Sequence, residues 1–174
     1  DRARLFEELP AKVVRQLLDQ LSPEERKVTA ELLGYEAETA GRLMTTEYIA
    51  LKENQTALEA LDIVRRRARD TETIYSLYVT DTERRLTGIL SLRDLVTADP
   101  HTLIRDVMTE EVLSVRTDTD QEKVARTIQR YDFLAVPVVD LEQRLVGIVT
   151  VDDVIDVIEQ EATRDLYAAG AVQA

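Results

Sequence analysis

The sequence predicts an α+β fold in which one β-α-β-β-α unit occurs twice behind a short all-α helical segment. The first observation is an internal repeat: "LMTTEYIAL" at 43–51 matches "VMTEEVLSV" at 107–115, and "YVTDTERRLTGILSLRDLV" at 78–96 matches "PVVDLEQRLVGIVTVDDVI" at 137–155. The second is the pattern within each copy: a short strand, a helix, two β-rich segments joined by a polar turn, and a closing helix. With 174 residues and 44% hydrophobic composition, the chain can bury a sizeable core.

Residues 1–40 are predicted to form helices. The stretch "SPEERKVTAELLG" has Ser22 as N-cap, Pro23 in the first turn, Glu25 closing a capping box and Gly34 as a stop. Because two helices have little core of their own, this segment either packs on the rest of the chain or is the end of a larger helical domain, and we favour the second interpretation.

The two copies differ in length. Met44 and Met108 are 64 residues apart, whereas Gly88 and Gly147 are 59 apart, so the first copy carries five extra residues. We place them in its middle helix, around "RRRARD".

The stretch "TVDDVIDVIEQEATRD" at 150–165 predicts the closing helix of the second copy. At ~100° per residue it has one apolar face and one acidic face. The predicted buried stripe is Val151, Val154, Ile155, Ile158 and Ala162, and the opposite face carries Asp152, Asp153, Asp156 and Glu159. Like charges three or four apart destabilise an isolated helix by roughly 0.2–0.5 kcal/mol per pair, so we look for an offsetting contact outside the helix.

The net charge of the chain is −12, and residues 106–165 hold −9 of it. This balance argues against nucleic-acid binding, which needs a basic surface to neutralise phosphates. It favours cations and basic partners. The alternative interpretation is a solvated acidic surface with no ligand.

Nothing in the sequence indicates catalysis, so we predict that the chain is not an enzyme. There is no Cys, which excludes disulfides and thiolate chemistry and is compatible with a reducing cytosolic setting. His101, the sole histidine, lies beside Pro100 and is interpreted as a linker residue. The apolar runs are far shorter than the ~20 residues of a membrane helix, and Asp1 opens no signal peptide, so the chain as given is predicted to be soluble.

The acidic residues suit hard cations. Carboxylates without Cys or a second His favour Mg²⁺, Mn²⁺ or Ca²⁺. The stretch "DTDQE" at 118–122 lacks the glycine and distal Glu of an EF-hand, so a site has to be assembled from separated elements. Two carboxylates ~5 Å apart repel by roughly 0.8 kcal/mol in water, and hydrated Mg²⁺ that bridges them lets cation concentration set a conformation. The candidate clusters are Asp118, Asp120 and Glu122; Asp132; and the acids from Asp153 to Asp165.

Both copies end in Gly, two aliphatic residues, Ser or Thr, two residues and Asp: "GILSLRD" and "GIVTVDD". Over about residues 43–160 the chain resembles a pair of cystathionine-β-synthase (CBS) domains, which pack through their sheets into one module. The resemblance implies adenine-nucleotide binding by Ser91, Arg93 and Asp94. The alternative is that Ser91 only caps its helix.

A larger set of motifs resembles the MgtE family of magnesium channels. It comprises "ETAGRLMTTEYIAL", "TIYSLYV", "LSLRDLVTADP" and "YDF…PVVD…RLVGIVTVDDVIDVIEQEATRD", and it spans essentially all 174 residues. The resemblance implies a helical N domain, a CBS pair, a plug helix and a transmembrane pore, working as a homodimer. It further implies that Mg²⁺ between the cytosolic domains holds the pore shut, and that low Mg²⁺ releases the gate by repulsion between carboxylates.

The resemblance also implies which residues bind the metal. The Mg²⁺ carboxylates carried over by position are Asp120, Asp132, Asp153, Asp156, Glu161, Asp165, Glu122 and Asp118. Three positions depart from the family. Arg164 stands where relatives often have an acid, Ser76 where they can present an aromatic ring to adenine, and Arg42 where a small residue is common.

We therefore predict four segments: 1–40 as the C-terminal part of an MgtE-type N domain, 41–103 as CBS repeat 1, 104–165 as CBS repeat 2, and 166–174 as the start of a linker toward the plug helix. The predicted function is Mg²⁺ sensing at the cytoplasmic face of the cell membrane. Its predicted partners are a second copy of the chain and the pore domain of the same full-length protein, with ATP as a further candidate ligand. The alternative is an adenine-nucleotide-binding CBS module that regulates another transporter or enzyme.

Overall fold

The computed structural model describes Ser22, Glu25, residues 34–71 and residues 76–173. Ser22 Oγ accepts a hydrogen bond from the Glu25 backbone N–H at 3.2 Å, as expected for the predicted N-cap. Gly34 lies in a turn. The helices predicted between residues 1 and 33 otherwise lie outside the described residues.

Two units with the same order of elements make up the rest of the described chain. The first is preceded by α1 (Ala40–Leu43) and consists of β1 (Ala50–Lys52), α2 (Ala57–Arg67), β2 (Ser76–Thr80), β3 (Leu86–Ser91) and α3 (Leu92–Thr97). The second is preceded by α4 (Ile104–Val107) and consists of β4 (Val115–Arg116), α5 (Gln121–Tyr131), β5 (Ala135–Val139), β6 (Leu145–Thr150) and α6 (Val151–Gln173). In each unit the first strand runs parallel to the second, and the second runs antiparallel to the third. The predicted α+β fold with two β-α-β-β-α units is confirmed.

The five extra residues of the first unit do not lie in its middle helix. Both α2 and α5 have 11 residues. Eight residues separate the end of α2 from β2, whereas three separate the end of α5 from β5. The insertion therefore follows α2, beginning with the 3₁₀ turn Ala68–Asp70, and its placement within the helix was wrong. The two middle helices thus have the same length despite the insertion.

Matching side chains begin the two middle helices. Thr56 Oγ1 accepts from the Glu59 N–H at 3.2 Å, and the Glu59 carboxylate accepts from the Thr56 N–H at 3.1 Å, which forms a capping box at α2. At the matching position before α5, the Asp120 carboxylate accepts from the Glu122 N–H at 3.0 Å. Both arrangements satisfy N–H groups that a helix start leaves unpaired.

The segment that leads into each unit pairs with the last strand of the other unit. Thr45 exchanges two backbone hydrogen bonds with Ile148 of β6, at 2.8 and 3.0 Å. Thr109 exchanges two with Ile89 of β3, at 2.9 and 2.8 Å. The one-turn helices also pack on the other unit: α1 contributes to the hydrophobic core of the second unit, and α4 contributes to that of the first. Each sheet is therefore completed by the other unit.

Two glycines permit this close approach. A Cβ atom at Gly147 would lie 2.5 Å from Met44 Sδ and 3.0 Å from Met44 Cβ. A Cβ atom at Gly88 would lie 2.4 Å from Met108 Sδ. The presence of a methionine and a glycine at matching positions of both repeats therefore has a steric origin: each methionine packs directly on the glycine of the other unit.

The hairpin turns of the two units also meet. Leu86 N–H donates to the Gln143 carbonyl and Leu145 N–H donates to the Arg84 carbonyl, both at 3.0 Å. Arg84 and Gln143 have φ angles of 67° and 65°, so both turns use the left-handed region to bring these carbonyls into place. The two units thus share backbone hydrogen bonds at a second location.

A small core lies between the two sheets, around Tyr78 of β2. The ring of Tyr78 is fully buried and meets the ring of Tyr48 edge-on, with 6.3 Å between centroids. The Tyr48 hydroxyl donates to the Leu145 carbonyl at 3.2 Å. Within the part of the chain that the structure describes, the Tyr78 hydroxyl has no hydrogen-bond partner, and burial raises the pKa of Tyr78.

Gly147→Ala is expected to lower the free energy of unfolding by about 1–3 kcal/mol, because the new methyl group overpacks the Met44 side chain. Gly170→Ala is the matched control: a Cβ there meets nothing within 4 Å. That change is expected to add up to about 1 kcal/mol of stability, since alanine favours a helix over glycine. Urea unfolding of both variants measures the difference. Equal effects at the two sites would contradict the packing described here.

Tyr78→Phe is expected to raise the free energy of unfolding by about 1 kcal/mol, because it removes a buried hydroxyl that lacks a partner. Tyr48→Phe is the matched control and is expected to lower the free energy by about 1 kcal/mol, because it removes a hydrogen bond. Thermal unfolding of the two variants tests this. A clear loss of stability in Tyr78→Phe would mean that its hydroxyl is hydrogen-bonded in solution.

Candidate functional site

The closing helix α6 packs through a stripe shifted from the predicted one. Val154 and Val157 are buried, whereas Ile155 is 50% exposed and Ala162 is exposed. The prediction that Ile155 and Ala162 are buried was wrong, because the contact follows positions three residues apart. Glu161 continues this stripe and is half-buried. The packing face of α6 therefore changes from apolar to polar toward its C-terminal half.

The opposite face of α6 is acidic, as predicted. Asp152, Asp156 and Glu159 are exposed, and Asp153 is half-buried. The Thr150 hydroxyl donates to the Asp153 carboxylate at 3.1 Å. This contact gives Asp153 a defined orientation at the start of the helix.

A cavity of about 680 Å³ lies between the segment around α1, the start of α5 and the middle of α6. Its lining residues include the predicted metal ligand Asp156 and four residues that were not predicted as ligands, namely Glu38, Arg42, Gln121 and Glu159. Arg164 lines it as well, so three carboxylates face two guanidinium groups. The cavity lies between the acidic helix and the segment ahead of the repeats.

Gln121 joins the elements around this cavity. Its side chain is 2% exposed, its backbone N–H donates to the Glu38 carbonyl at 2.8 Å, and its Nε2 donates to Glu161 Oε1 at 2.9 Å. Sequence analysis missed Gln121. The available signal was its position on the apolar stripe of α5, three and four residues before Val124 and Ala125, which are buried.

Arg164 lies between two carboxylates. Its Nη2 forms an ion pair with Glu38, and its Nη1 lies 3.7 Å from Glu161 Oε1. The hydrogen bond from Arg164 lowers the pKa of Glu38, partial burial opposes this, and the charge of Arg164 lowers it further. The same partner, Glu38, raises the pKa of Arg164.

Arg42 anchors the chain ahead of the first unit. It is 9% exposed, and its Nε and Nη2 both donate to the Tyr35 carbonyl, at 3.1 and 2.5 Å. The Tyr35 ring covers Gly41, where a Cβ atom would lie 2.6 Å from the ring. Arg42 therefore has a structural role at the junction with the N-terminal segment.

The remaining predicted carboxylates are dispersed. Asp120 caps α5, and Asp118 lies 3.5 Å from Arg116 Nε. Glu122 and Asp165 are exposed, and Asp132 ends α5 with a φ angle of 52°. Within Ser22, Glu25, residues 34–71 and residues 76–173, no three Asp, Glu or His side chains form a group that could hold a metal ion. The eight predicted Mg²⁺ ligands therefore stay a prediction.

The predicted nucleotide-binding residues lie at the start of α3. Ser91 Oγ accepts from the Asp94 N–H at 3.0 Å, so Ser91 acts as the helix cap. Arg93 and Asp94 are exposed, and Ser76 lies opposite Ser91 on the neighbouring strand. The cap formed by Ser91 leaves the side chains of Arg93 and Asp94 accessible. Nucleotide binding by Ser91, Arg93 and Asp94 stays a prediction.

The repeated fold and the corner between strand and helix in each unit define a class of protein. The CBS domain family matches residues 40–101 and 104–160, and the MgtE intracellular N domain family matches residues 1–38. The chain is therefore a CBS-domain protein. It belongs to the MgtE family, in which an N domain precedes the CBS pair, and the predicted resemblance is confirmed.

Individual relatives agree with this assignment. The magnesium transporter MgtE of Thermus thermophilus is 54% identical over 158 residues, which are 91% of this chain and 35% of that protein. A crystal structure of the cytosolic domain of the Mg²⁺ channel MgtE with ATP is 54% identical, has a TM-score of 0.83 and matches over 87% of this chain and 60% of that one. The soluble part of a magnesium transporter is 49% identical, has a TM-score of 0.88 and matches over 92% of this chain and 62% of that one.

The chain spans about a third of the length of its curated MgtE relatives. None of the helices in the described residues is long and apolar enough to cross a membrane. The four segment boundaries given above stay predictions, and α6 runs unbroken across the one proposed after residue 165.

The Glu38 carboxyl is expected to titrate below its ordinary pKa of 4.5 in the folded chain. Because the folded pKa is lowered, its contribution to stability is present above the unfolded pKa and is lost as pH falls through the folded pKa. Arg164→Gln is expected to move the Glu38 pKa up toward 4.5. Carboxyl-detected NMR titration measures it, with Arg105→Gln as the control that removes a charge from an exposed position on α4. An unchanged Glu38 pKa in Arg164→Gln would disprove the pairing.

Proposed function

We propose that this chain is the Mg²⁺-sensing regulatory region of a magnesium channel or transporter, at the cytoplasmic face of the membrane. The observation that carries the proposal is the acidic face of α6, in a chain whose relatives include proteins named as magnesium transporters. The role is regulatory and not enzymatic: CBS domains regulate the proteins that contain them, and the ion acts as the signal.

The physical basis is repulsion between carboxylates of the acidic second unit and those brought to it by a partner surface. Residues 106–165 carry most of the net charge of −12. Two carboxylates ~5 Å apart repel by roughly 0.8 kcal/mol in water, and by more where water is partly excluded. Bound Mg²⁺ removes this repulsion and favours the compact state, whereas its loss allows the acidic surfaces to separate.

Mg²⁺ is usually held by one or two carboxylates together with several waters, so a cluster of three ligands within one chain is not required. Asp153 and Asp156 are the best candidates, because they lie three residues apart on one helix face and Asp156 also lines the cavity. The other proposed ligands are Asp118, Asp120, Glu122, Asp132, Glu161 and Asp165. They act where a second copy or the pore domain brings further oxygen atoms.

We propose a homodimer as the working form. Val96 of α3 and Ile155 of α6 occupy matching positions in the two units and are 58% and 50% exposed. Apolar side chains at equivalent places on both closing helices favour burial against a second copy. In the full-length protein, the dimer transmits compaction through the end of α6 to the pore.

A second candidate function is adenine-nucleotide sensing. The observation that favours it is the 54% identity to a cytosolic domain whose structure contains ATP. Ser91, Arg93 and Asp94 are the proposed contacts at the start of α3. Mg²⁺ and ATP can act on the same module, since the two sets of residues lie in different units.

MgCl₂ is expected to raise the melting temperature of the chain more than NaCl of equal ionic strength, because a ligand that binds only the folded state stabilises it by RT ln(1 + [L]/Kd), roughly 2.7 kcal/mol at 100 Kd. Asp153→Ala with Asp156→Ala is expected to abolish the specific rise. A thermal melt titrated with each salt is the measurement, and small-angle scattering reports the accompanying compaction.

The matched control is Glu110→Ala with Glu111→Ala, which removes two charges from exposed positions between α4 and β4. It is expected to keep the Mg²⁺-specific rise. Equal rises with both salts would overturn Mg²⁺ sensing and leave a solvated acidic face. Strong stabilisation by ATP or AMP without a response to Mg²⁺ would favour the nucleotide-sensing alternative.

A further inference from the structure

The C-terminal half of α6 makes few apolar contacts. Up to residue 170, where its side chains are described, Val157 is the last buried hydrophobic residue, Ile158 is half-buried, and residues 162–170 are all exposed. Beyond this point, the polar contacts that connect the described helix with the rest of the chain come from Glu161 and Arg164. The position of this half of the helix therefore depends on charged groups.

Arg164 is placed to neutralise two acids from different elements. Glu38 belongs to the turn before α1, and Glu161 lies one turn before Arg164 on α6. Gln121 contacts the same pair of residues from α5, through its backbone and its side chain. The turn around Glu38, α5 and α6 are therefore connected by the guanidinium of Arg164 and by the buried residue Gln121.

The surroundings make this positive charge necessary. Asp156, Glu159 and Glu38 line the cavity, and Glu161 lies beside it. The other guanidinium at the cavity, that of Arg42, donates to the Tyr35 carbonyl. Without Arg164, the carboxylates of Glu38 and Glu161 would lose the cation that contacts both of them.

We propose that Arg164 is a positioning residue: a covalently attached cation that fixes the C-terminal half of α6 to the turn around Glu38, independently of any divalent ion. This inference rests on the proposed Mg²⁺ sensor and refines it. One contact of the acidic helix is held permanently by the protein. Within the isolated chain, the response of α6 to Mg²⁺ therefore comes from Asp153 and Asp156, whereas Glu161 and Asp165 take part only where a second copy or the pore domain adds oxygen atoms.

Hydrogen exchange of residues 159–170 tests the proposal in the 174-residue chain. Arg164→Gln is expected to speed exchange there by about 2–5-fold, the range set by a partly exposed ion pair. Arg164→Lys, which keeps the positive charge, is expected to restore part of the protection. Arg105→Gln is the control, and unchanged slow exchange in β5 shows that each variant is folded.

Wild-type exchange of residues 159–170 is expected to be the same with excess MgCl₂ and with EDTA, and faster at high NaCl, because salt screens the pair. Unchanged exchange in Arg164→Gln, equal loss of protection in Arg164→Lys and Arg164→Gln, or a Mg²⁺ requirement in the wild type would each overturn the proposal. The comparison of Arg164→Gln with wild type is made without Mg²⁺. Its result therefore stands even if the Mg²⁺-dependent melt fails.

Discussion

The structure depends on the packing of a methionine of each unit against a glycine of the other. Met44 lies on Gly147 and Met108 lies on Gly88, and the residue after each methionine forms two backbone hydrogen bonds with the strand that contains the glycine. The contact fixes the distance between the two sheets. It thereby fixes where the closing helices begin and where their polar side chains lie.

Much of the fold could be predicted because the repeat presents each element twice. A strand or helix seen weakly in one copy was supported by the other, and the order of elements was correct. The insertion was misplaced because "RRRARD" favours a helix by composition, whereas α2 ends at Arg67 and the chain continues through a 3₁₀ turn. Periodicity within one helix does not reveal where that helix stops packing.

The site was harder to predict for a related reason. The hydrophobic pattern of α6 allowed two neighbouring stripes, one with Ile155 and one with Val157, and only the position of α5 selects the second. Gln121 was missed because a buried amide acquires its role from partners 40 and 83 positions away, Glu161 and Glu38. The acids of α6 were identified from sequence because their charge is local. The distances between these acids and the acids of other elements depend on tertiary packing, so they could not be predicted from the sequence.

The length of α6 determines how far a tilt around the contacts of Glu161 displaces the two ends of the helix. With 23 residues at 1.5 Å per residue, the helix is a rod about 34 Å long. The contacts at Glu161 act as a fulcrum near its midpoint, and about 18 Å of helix extends from there to Gln173. A tilt of the helix by about 10° around Glu161 displaces Gln173 by about 3 Å, which is about twice the 1.5 Å rise per residue of an α-helix. Val151 lies about 15 Å on the other side of Glu161, so a tilt caused by a change in charge near the start of the helix displaces Gln173 by a similar distance.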